Sequence, residues 1–215
     1  MIKITSKTND KISFETDMNV SLANAIRRSI NYIPILAVDL LEISKNDSAL
    51  YDEIIAHRVG LVPLQNEKLK LASECDCGKE EGCSKCSIKL KLSCKGPCTA
   101  YSTDMTPRDS VLYKMPIAIL NKDQELEFVA IARVGKAIEH AKYSPGLVFY
   151  RYSEDIEKEQ NDEDFRKMVE ESKKKGDKPI TFVLESWGQI PAKEMFIQSV
   201  EILNEEIKDL LKEIK

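Results

Sequence analysis

All six cysteines of this 215-residue chain fall between Cys75 and Cys98. They run Cys75-x-Cys77-x5-Cys83-x2-Cys86, then Cys94 and Cys98. Four thiolates gathered by short loops fill the tetrahedral shell of Zn²⁺. Gly78 and Gly82 give the intervening loop freedom to fold back. No histidine lies near, so a complete shell here is all sulfur. A full set of protein ligands leaves no position for water, which marks a structural site rather than a catalytic one. The same thiolates are competent to hold an iron–sulfur cluster, and sequence separates soft-metal choices poorly. Cys94 and Cys98 read as buried free thiols, a weak pair, or substitutes in the shell. No Gly-rich phosphate loop, paired-carboxylate cleft or nucleophile–base pair is evident, so no catalytic residue is assigned.

Composition narrows the class. Hydrophobic residues make up 42% and charged residues 32%, the balance of a globular rather than a disordered chain. A net charge of −4 argues against a free-standing protein that grips phosphates over a wide surface. No apolar run is long enough to cross a membrane. Met1 is followed at once by strand-like Ile2–Thr5 with no apolar signal region. A tight cysteine cluster in such a chain favours metal over disulfides and a reducing cytoplasm.

The elements that must position these residues follow from periodicity. Ile2 and Ile4, then Ile12 and Phe14, alternate about an Asn-Asp turn, which predicts a hairpin with one buried face. Asn19–Ile30 predicts a helix, capped by Asn19 or Ser21, with Leu22, Ile26 and Ile30 on one narrow face. Pro34 ends it. Leu36, Val38 and Leu40 alternate, and Leu41 and Ile43 continue out of phase through a bulge. Ser48 is placed to cap a helix over Ala49–Val59, with Gly60 as its stop. Ser87–Cys94 reads as a strand with one solvated face, and Gln124–Ile131, alternating Leu126, Phe128 and Ala130, as another strand. Ser110–Leu120 is ambiguous because Pro116 interrupts it. Leu147–Tyr152 and Ile180–Ser186 read as further strands, separated by the charged segment 154–178. From Pro191 on, Phe196, Val200, Leu203, Ile207, Leu210 and Ile214 keep a heptad seam. That helix would be roughly 37 Å long at about 1.5 Å per residue. The two chain ends suit one discontinuous domain, with the cysteine-bearing middle inserted.

Two motifs then point to a family. LANAIRRSINYIPILAVDLLEI (Leu22–Ile43) and DEIIAHRVGLVPL (Asp52–Leu64) resemble the D-type subunit of archaeal DNA-directed RNA polymerase. They are also similar to the third-largest subunit of eukaryotic RNA polymerase II and, more distantly, to the amino-terminal region of the bacterial alpha subunit. HAKYSPG (His140–Gly146) resembles a further stretch of that family, and the cysteine loop resembles the eukaryotic zinc loop. The resemblance implies an α+β fold: a discontinuous alpha-type dimerisation domain, 1–47 with 144–215, around a β-rich insert domain, 48–143, that carries the Cys-rich loop 75–98. It implies pairing with a small alpha-like subunit, the L-type subunit, through Leu22, Ile26, Ile30, Phe196, Val200, Leu203, Ile207 and Leu210. Arg27, Arg28, His57, Arg58, His140 and Lys142 would face the two largest subunits, and small zinc-type subunits would complete the platform. The chain would be part of a cytoplasmic nucleotidyltransferase, DNA-directed RNA polymerase, without catalytic residues of its own, and would meet DNA only through the whole complex. Many archaeal relatives carry a ferredoxin-like domain where this chain has 154–178, a segment without cysteine. Structural zinc on Cys75, Cys77, Cys83 and Cys86 is therefore expected, with an iron–sulfur cluster as the alternative. The competing class is a stand-alone metal protein, either an iron–sulfur electron carrier or a zinc-ribbon nucleic-acid module. The lysines around the loop (Lys79, Lys85, Lys89, Lys91) lack the stacking aromatics a nucleic-acid module needs.

Overall fold

The computed structural model describes residues 2–65, 69–71, 74–77, 82–152 and 179–214. In chain order its elements are β1 (Ile2–Lys7), β2 (Lys11–Thr16), α1 (Val20–Ser29), β3 (Ile35–Asn46), α2 (Asp52–Gly60), β4 (Ser87–Lys95), β5 (Cys98–Tyr101), β6 (Pro116–Leu120), β7 (Glu125–Gly135), β8 (Gly146–Tyr152), β9 (Ile180–Ser186) and α3 (Ala192–Glu213). The fold is α+β, as the resemblance implies. The chain divides into two units, Met1–Ile33 with Pro145–Lys215, and Pro34–Ser144. The charged segment 154–178 lies outside the described residues.

In the first unit an antiparallel sheet runs β1-β2-β9-β8. Phe14 lies opposite Phe182, and Phe182 opposite Tyr150. Opposed residues share a sheet face, and these rings stack at 5.5 and 6.4 Å. Phe196 of α3 meets Phe14 edge-on at 5.3 Å, so this aromatic row is the face that α3 covers. Asn19 caps α1, its Oδ1 accepting the Ser21 N–H at 2.7 Å. The buried residues of α1 are Ala23, Ile26 and Ser29; Leu22 of the predicted face points to solvent. Small residues bring α1 and α3 together. The Ser29 hydroxyl shares its proton between the Ile26 and Ser199 carbonyls, each 2.8 Å away. The predicted hairpin forms, but β1 is exposed along its whole length. Ile4 lies opposite Phe14 and so faces the helix side. On this edge strand it remains exposed nonetheless.

In the second unit β7 is the centre of a three-stranded antiparallel sheet, β3-β7-β4. Its inward residues Leu126, Phe128, Ala130, Ala132 and Val134 pack with Leu90 and Leu92 of β4, Leu36 and Val38 of β3, and Ile55 and Val59 of α2. A two-stranded sheet, β5-β6, adds Ala100, Ile117, Ala118 and Leu120 to that core. β3 pairs with β7 over nearly its whole length, with register shifts at Val38/Leu40 and Ile43/Lys45. Those shifts account for the out-of-phase Leu41 and Ile43. The same pairing moves a boundary: β3 belongs to this unit, so the division falls at Ile33/Pro34 rather than near residue 47.

α2 begins three residues later than the cap signal implies. The Ser48 hydroxyl donates to Asn46 Oδ1 and accepts the Leu50 N–H, so it closes the preceding turn instead of capping the helix. The strand β5 had no periodic signal in four residues, and β6 starts on the proline that made its stretch ambiguous.

Phe182→Ala removes a fully buried ring from the aromatic row and should cost about 3–5 kcal/mol in urea denaturation of the first unit. Ile4→Ala, on an exposed edge, should stay within about 0.5 kcal/mol.

Candidate functional site

Cys86 directly precedes β4, whose pairing with β7 starts at Ser87 opposite Arg133. One of the four cysteines is therefore fixed at the head of a paired strand. A tight turn brings Cys83 beside it: the Cys86 and Ser87 N–H groups both donate to the Cys83 carbonyl, at 2.9 and 2.8 Å. The turn requires Gly82, which has φ +76°, and a Cβ there would lie 2.8 Å from Ser87 Oγ and 3.1 Å from Cys86 Sγ. The Cys83 N–H donates to Cys86 Sγ at 3.2 Å, which ties that sulfur to the turn. Cys75 and Cys77 come from the incoming loop, which is tied to the turn by Lys70 N–H donating to the Lys85 carbonyl at 3.0 Å.

The four Sγ atoms lie within 4.8 Å of one another. Cys75–Cys83 is 3.7 Å, and Cys77–Cys86 and Cys83–Cys86 are 3.8 Å. A tetrahedron with metal–sulfur bonds of about 2.3 Å has edges of about 3.8 Å. The donor set fits a single ion. Such an ion would supply no reaction chemistry; it would cross-link the loop to β4. Crowding also polarises the thiols. At Cys75 the Cys77 backbone N–H pulls the pKa down, but the Cys86, Cys77 and Cys83 thiols outweigh it and push it up to about 12. At Cys83 the Lys85 backbone N–H leads, and the pKa drops to about 7. Neighbouring thiols cannot all ionise without a cation among them. Cys94 and Cys98 are not in the cluster and do not complete its shell. Cys94 sits within β4, and exposed Cys98 opens β5, its thiol 3.5 Å from the Lys95 carbonyl.

A second convergence lies in the same unit. His57, His140 and Lys142, distant in sequence, line one cavity of about 180 Å³ with Asp39, Leu40 and Leu61. Asp39 sits at the first bulge of β3 and collects cations. Lys142 Nζ lies 2.8 Å from its Oδ1, the Tyr143 hydroxyl donates to Oδ1 at 3.2 Å, and Arg133 is 3.5 Å from Oδ2. Burial raises the Asp39 carboxyl pKa, but Lys142, Tyr143 and Arg133 together hold it below its ordinary value. Burial and then Asp39 push the Tyr143 hydroxyl up. The Tyr143 ring lies over Gly135, where a Cβ would come within 2.6 Å of it. His140 Nδ1 accepts the Lys142 N–H at 3.1 Å, so the neutral ring carries its proton on Nε2. Arg58 points elsewhere, donating to the Pro116 carbonyl at 2.8 Å. Sequence reasoning missed Asp39, although a lone acid in the apolar run LAVDLL is a signal for a partly buried ion pair.

Arg27 and Arg28 lie in the first unit, Arg27 donating to Asn24 at 3.3 Å and Arg28 exposed. The predicted seam residues split. Ile26 and Ile30 are spent in that unit's own core, Phe196 joins the aromatic row, and Val200 and Leu203 are half-buried. Ile207 and Leu210 are 48% and 58% exposed, with Leu211 and Ile214 beside them.

Residues 32–148 match the family described as the RNA polymerase Rpb3/RpoA insert domain. The chain belongs to the Rpb3/RpoA family of RNA polymerase subunits. It is 40% identical over 168 residues to DNA-directed RNA polymerase subunit Rpo3 of Methanothermobacter thermautotrophicus, covering 73% of this chain and 63% of that one. It is 37% identical over 184 residues to the Rpo3 of Pyrococcus horikoshii, covering 81% and 68%. With RNA polymerase II subunit rpb3 of Dictyostelium discoideum it shares 35% over 167 residues, covering 68% and 55%. The chain thus spans just under two thirds of the Methanothermobacter relative. The insert-domain match takes in both the cysteine cluster and the Asp39 cavity.

Metal content separates the cysteines. Cys83→Ser should lose the bound metal in native mass spectrometry, whereas Cys94→Ser and Cys98→Ser should keep one ion per chain. Asp39 also gives a pH signature. Because its folded pKa is depressed, its stabilisation is present above the unfolded carboxyl value and is lost as pH falls through the folded one. Asp39→Asn should therefore lower stability at neutral pH, with the deficit shrinking on acidification in paired urea titrations.

Proposed function

We propose that the chain is a non-catalytic assembly subunit of DNA-directed RNA polymerase that pairs with a small alpha-like subunit, the family's L-type subunit. The observation that carries this reading is the distal half of α3. Ile207, Leu210, Leu211 and Ile214 are exposed together on a helix whose proximal half is buried by its own unit. Each such side chain is worth about 1.5–3 kcal/mol when fully removed from water, and a surface of this kind marks an interaction site. Leu22 of α1 is exposed as well. Ile26 and Ile30 act behind this surface by holding α1 against α3.

In this reading the first unit is the dimerisation domain and the second the insert domain. His57, His140 and Lys142 around the Asp39 cavity, together with Arg58, Arg27 and Arg28, face the two largest subunits. Small zinc-type subunits complete the platform, and DNA is met only by the assembled enzyme. Zinc is the ion best suited to the four thiolates. The sulfur spacings match one tetrahedral ion, whereas a cluster of several irons would spread its ligands over different metals. That weighs against the electron-carrier alternative.

Leu210→Asp tests the pairing. Co-expressed with the small alpha-like subunit, the parent chain should purify as a one-to-one complex carrying one zinc. The variant should lose the partner by at least about a hundredfold in affinity, the effect of a charge buried in an apolar seam, and keep its zinc. Retention of the partner would mean that the distal half of α3 is not the pairing face.

A further inference from the structure

Beyond the metal centre and the Asp39 cavity, the second unit carries an apolar stripe that neither explains. Tyr51, Ile54, Arg58 and Leu61 recur at spacings of three, four and three along α2 and its two ends, which puts them on one side. Tyr51 is 79% exposed, Ile54 46% and Leu61 48%. Beside this stripe runs a groove of about 350 Å³, walled by Ala49, Leu50 and Arg58 on one flank and Pro116–Ile119 on the other.

The strand wall is informative. Alternate side chains of a strand point to opposite faces. Four consecutive residues lining one groove therefore place it along the edge of β6, not over a face. β6 has β5 on one side and, among the described residues, no strand on the other. At that edge Ile119 is 71% exposed. Ile117 and Ala118 are buried, so Pro116 and Ile119 are the exposed apolar points of this edge, and a strand edge with no strand beyond it is a template for another. Arg58 supplies the groove's charge. It spends one Nη2 donor on the Pro116 carbonyl and makes no ion pair among the described residues. A guanidinium has five N–H donors in a planar fork suited to a carboxylate.

We propose that this groove receives an extended segment of another polymerase subunit, with aliphatic side chains along β6 and an Asp or Glu opposite Arg58. The inference rests on the assembly reading above and adds the chemistry of one contact. Apolar walls select the aliphatic residues, the unpaired strand edge selects an extended main chain, and Arg58 selects the acid. Asp52 and Glu53 at the start of α2 disfavour a second acid at the far end.

The test uses polymerase reconstituted from this full chain and the other polymerase subunits of its own genome. With p-benzoylphenylalanine at position 119, photolysis should give a cross-link to one segment in which an Asp or Glu lies among aliphatic residues. Arg58→Glu should reduce incorporation at limiting subunit concentration by about tenfold or more, as for a charge pair turned repulsive. Changing the cross-linked acid to Arg should restore it. Ile119→Asp, on a side chain already exposed, should reduce incorporation similarly and keeps the test valid where Arg58→Glu fails to fold. Normal incorporation of Ile119→Asp, or a cross-link to a segment without an acid, overturns the groove assignment while leaving the assembly reading intact. Failure of the parent chain to incorporate at all overturns both.

Discussion

An amphipathic helix longer than the sheet it packs on governs the first unit. α3 has 22 residues and, at about 1.5 Å per residue, spans roughly 33 Å. The strands it packs on, β2 and β9, have six and seven residues and, at about 3.3 Å per residue, run only roughly 20–23 Å. The proximal turns are fixed by the Phe14–Phe182–Phe196 cluster and by the Ser29–Ser199 contact with α1. The distal turns keep the same heptad pattern, yet Ile207, Leu210 and Ile214 are exposed. A sequence under no pressure to bury Ile207, Leu210 and Ile214 would have no reason to hold them in register with Phe196 and Leu203. In the proposed pairing, this exposed half of the helix is the part that a partner's apolar surface would cover.

The second unit solves a different problem. Its core is centred on β7, and that rigid strand pair lets two irregular features be held in place. One is the cysteine turn, where Gly82 and the Cys83 carbonyl allow Cys83 and Cys86 to approach within 3.8 Å at the head of β4. The other is the bulge at Asp39, which aims a carboxylate at Lys142, Tyr143 and Arg133 and draws the loop with His140 onto the sheet. Both place polar chemistry at the margin of an apolar core, where a rigid scaffold fixes it and solvent or a partner still has access.

The sequence announced features with a clear period or fixed ligand spacing. The four-cysteine set, the Asn19 cap, the strand after Cys86 and the heptads of α3 were all readable on those grounds. It was silent where geometry depends on residues far apart in the chain. Nothing local tells that Leu22 is exposed while Ser29 is buried, because that depends on how closely α3 approaches. Ser48 looked like a helix cap, but Asn46 offers it a nearer partner. β5 is four residues long, too short for alternation to register, and the pairing of β3 with β7 is not legible locally because a single strand carries no mark of its partner. The cavity made by residues 39, 57, 140 and 142 is likewise a product of the tertiary fold alone.

The most direct measurement of the central claim is amide hydrogen exchange across α3, with and without the small alpha-like subunit. The proximal turns, 192–200, should be protected in both states because their own unit buries them. The distal turns, 204–213, should exchange fast in the isolated chain and slow by at least about a hundredfold in the complex, as amides do when they leave a fraying end for a packed interface. Unchanged exchange in the distal turns, alongside a complex that forms, would contradict the account and move the pairing surface away from α3.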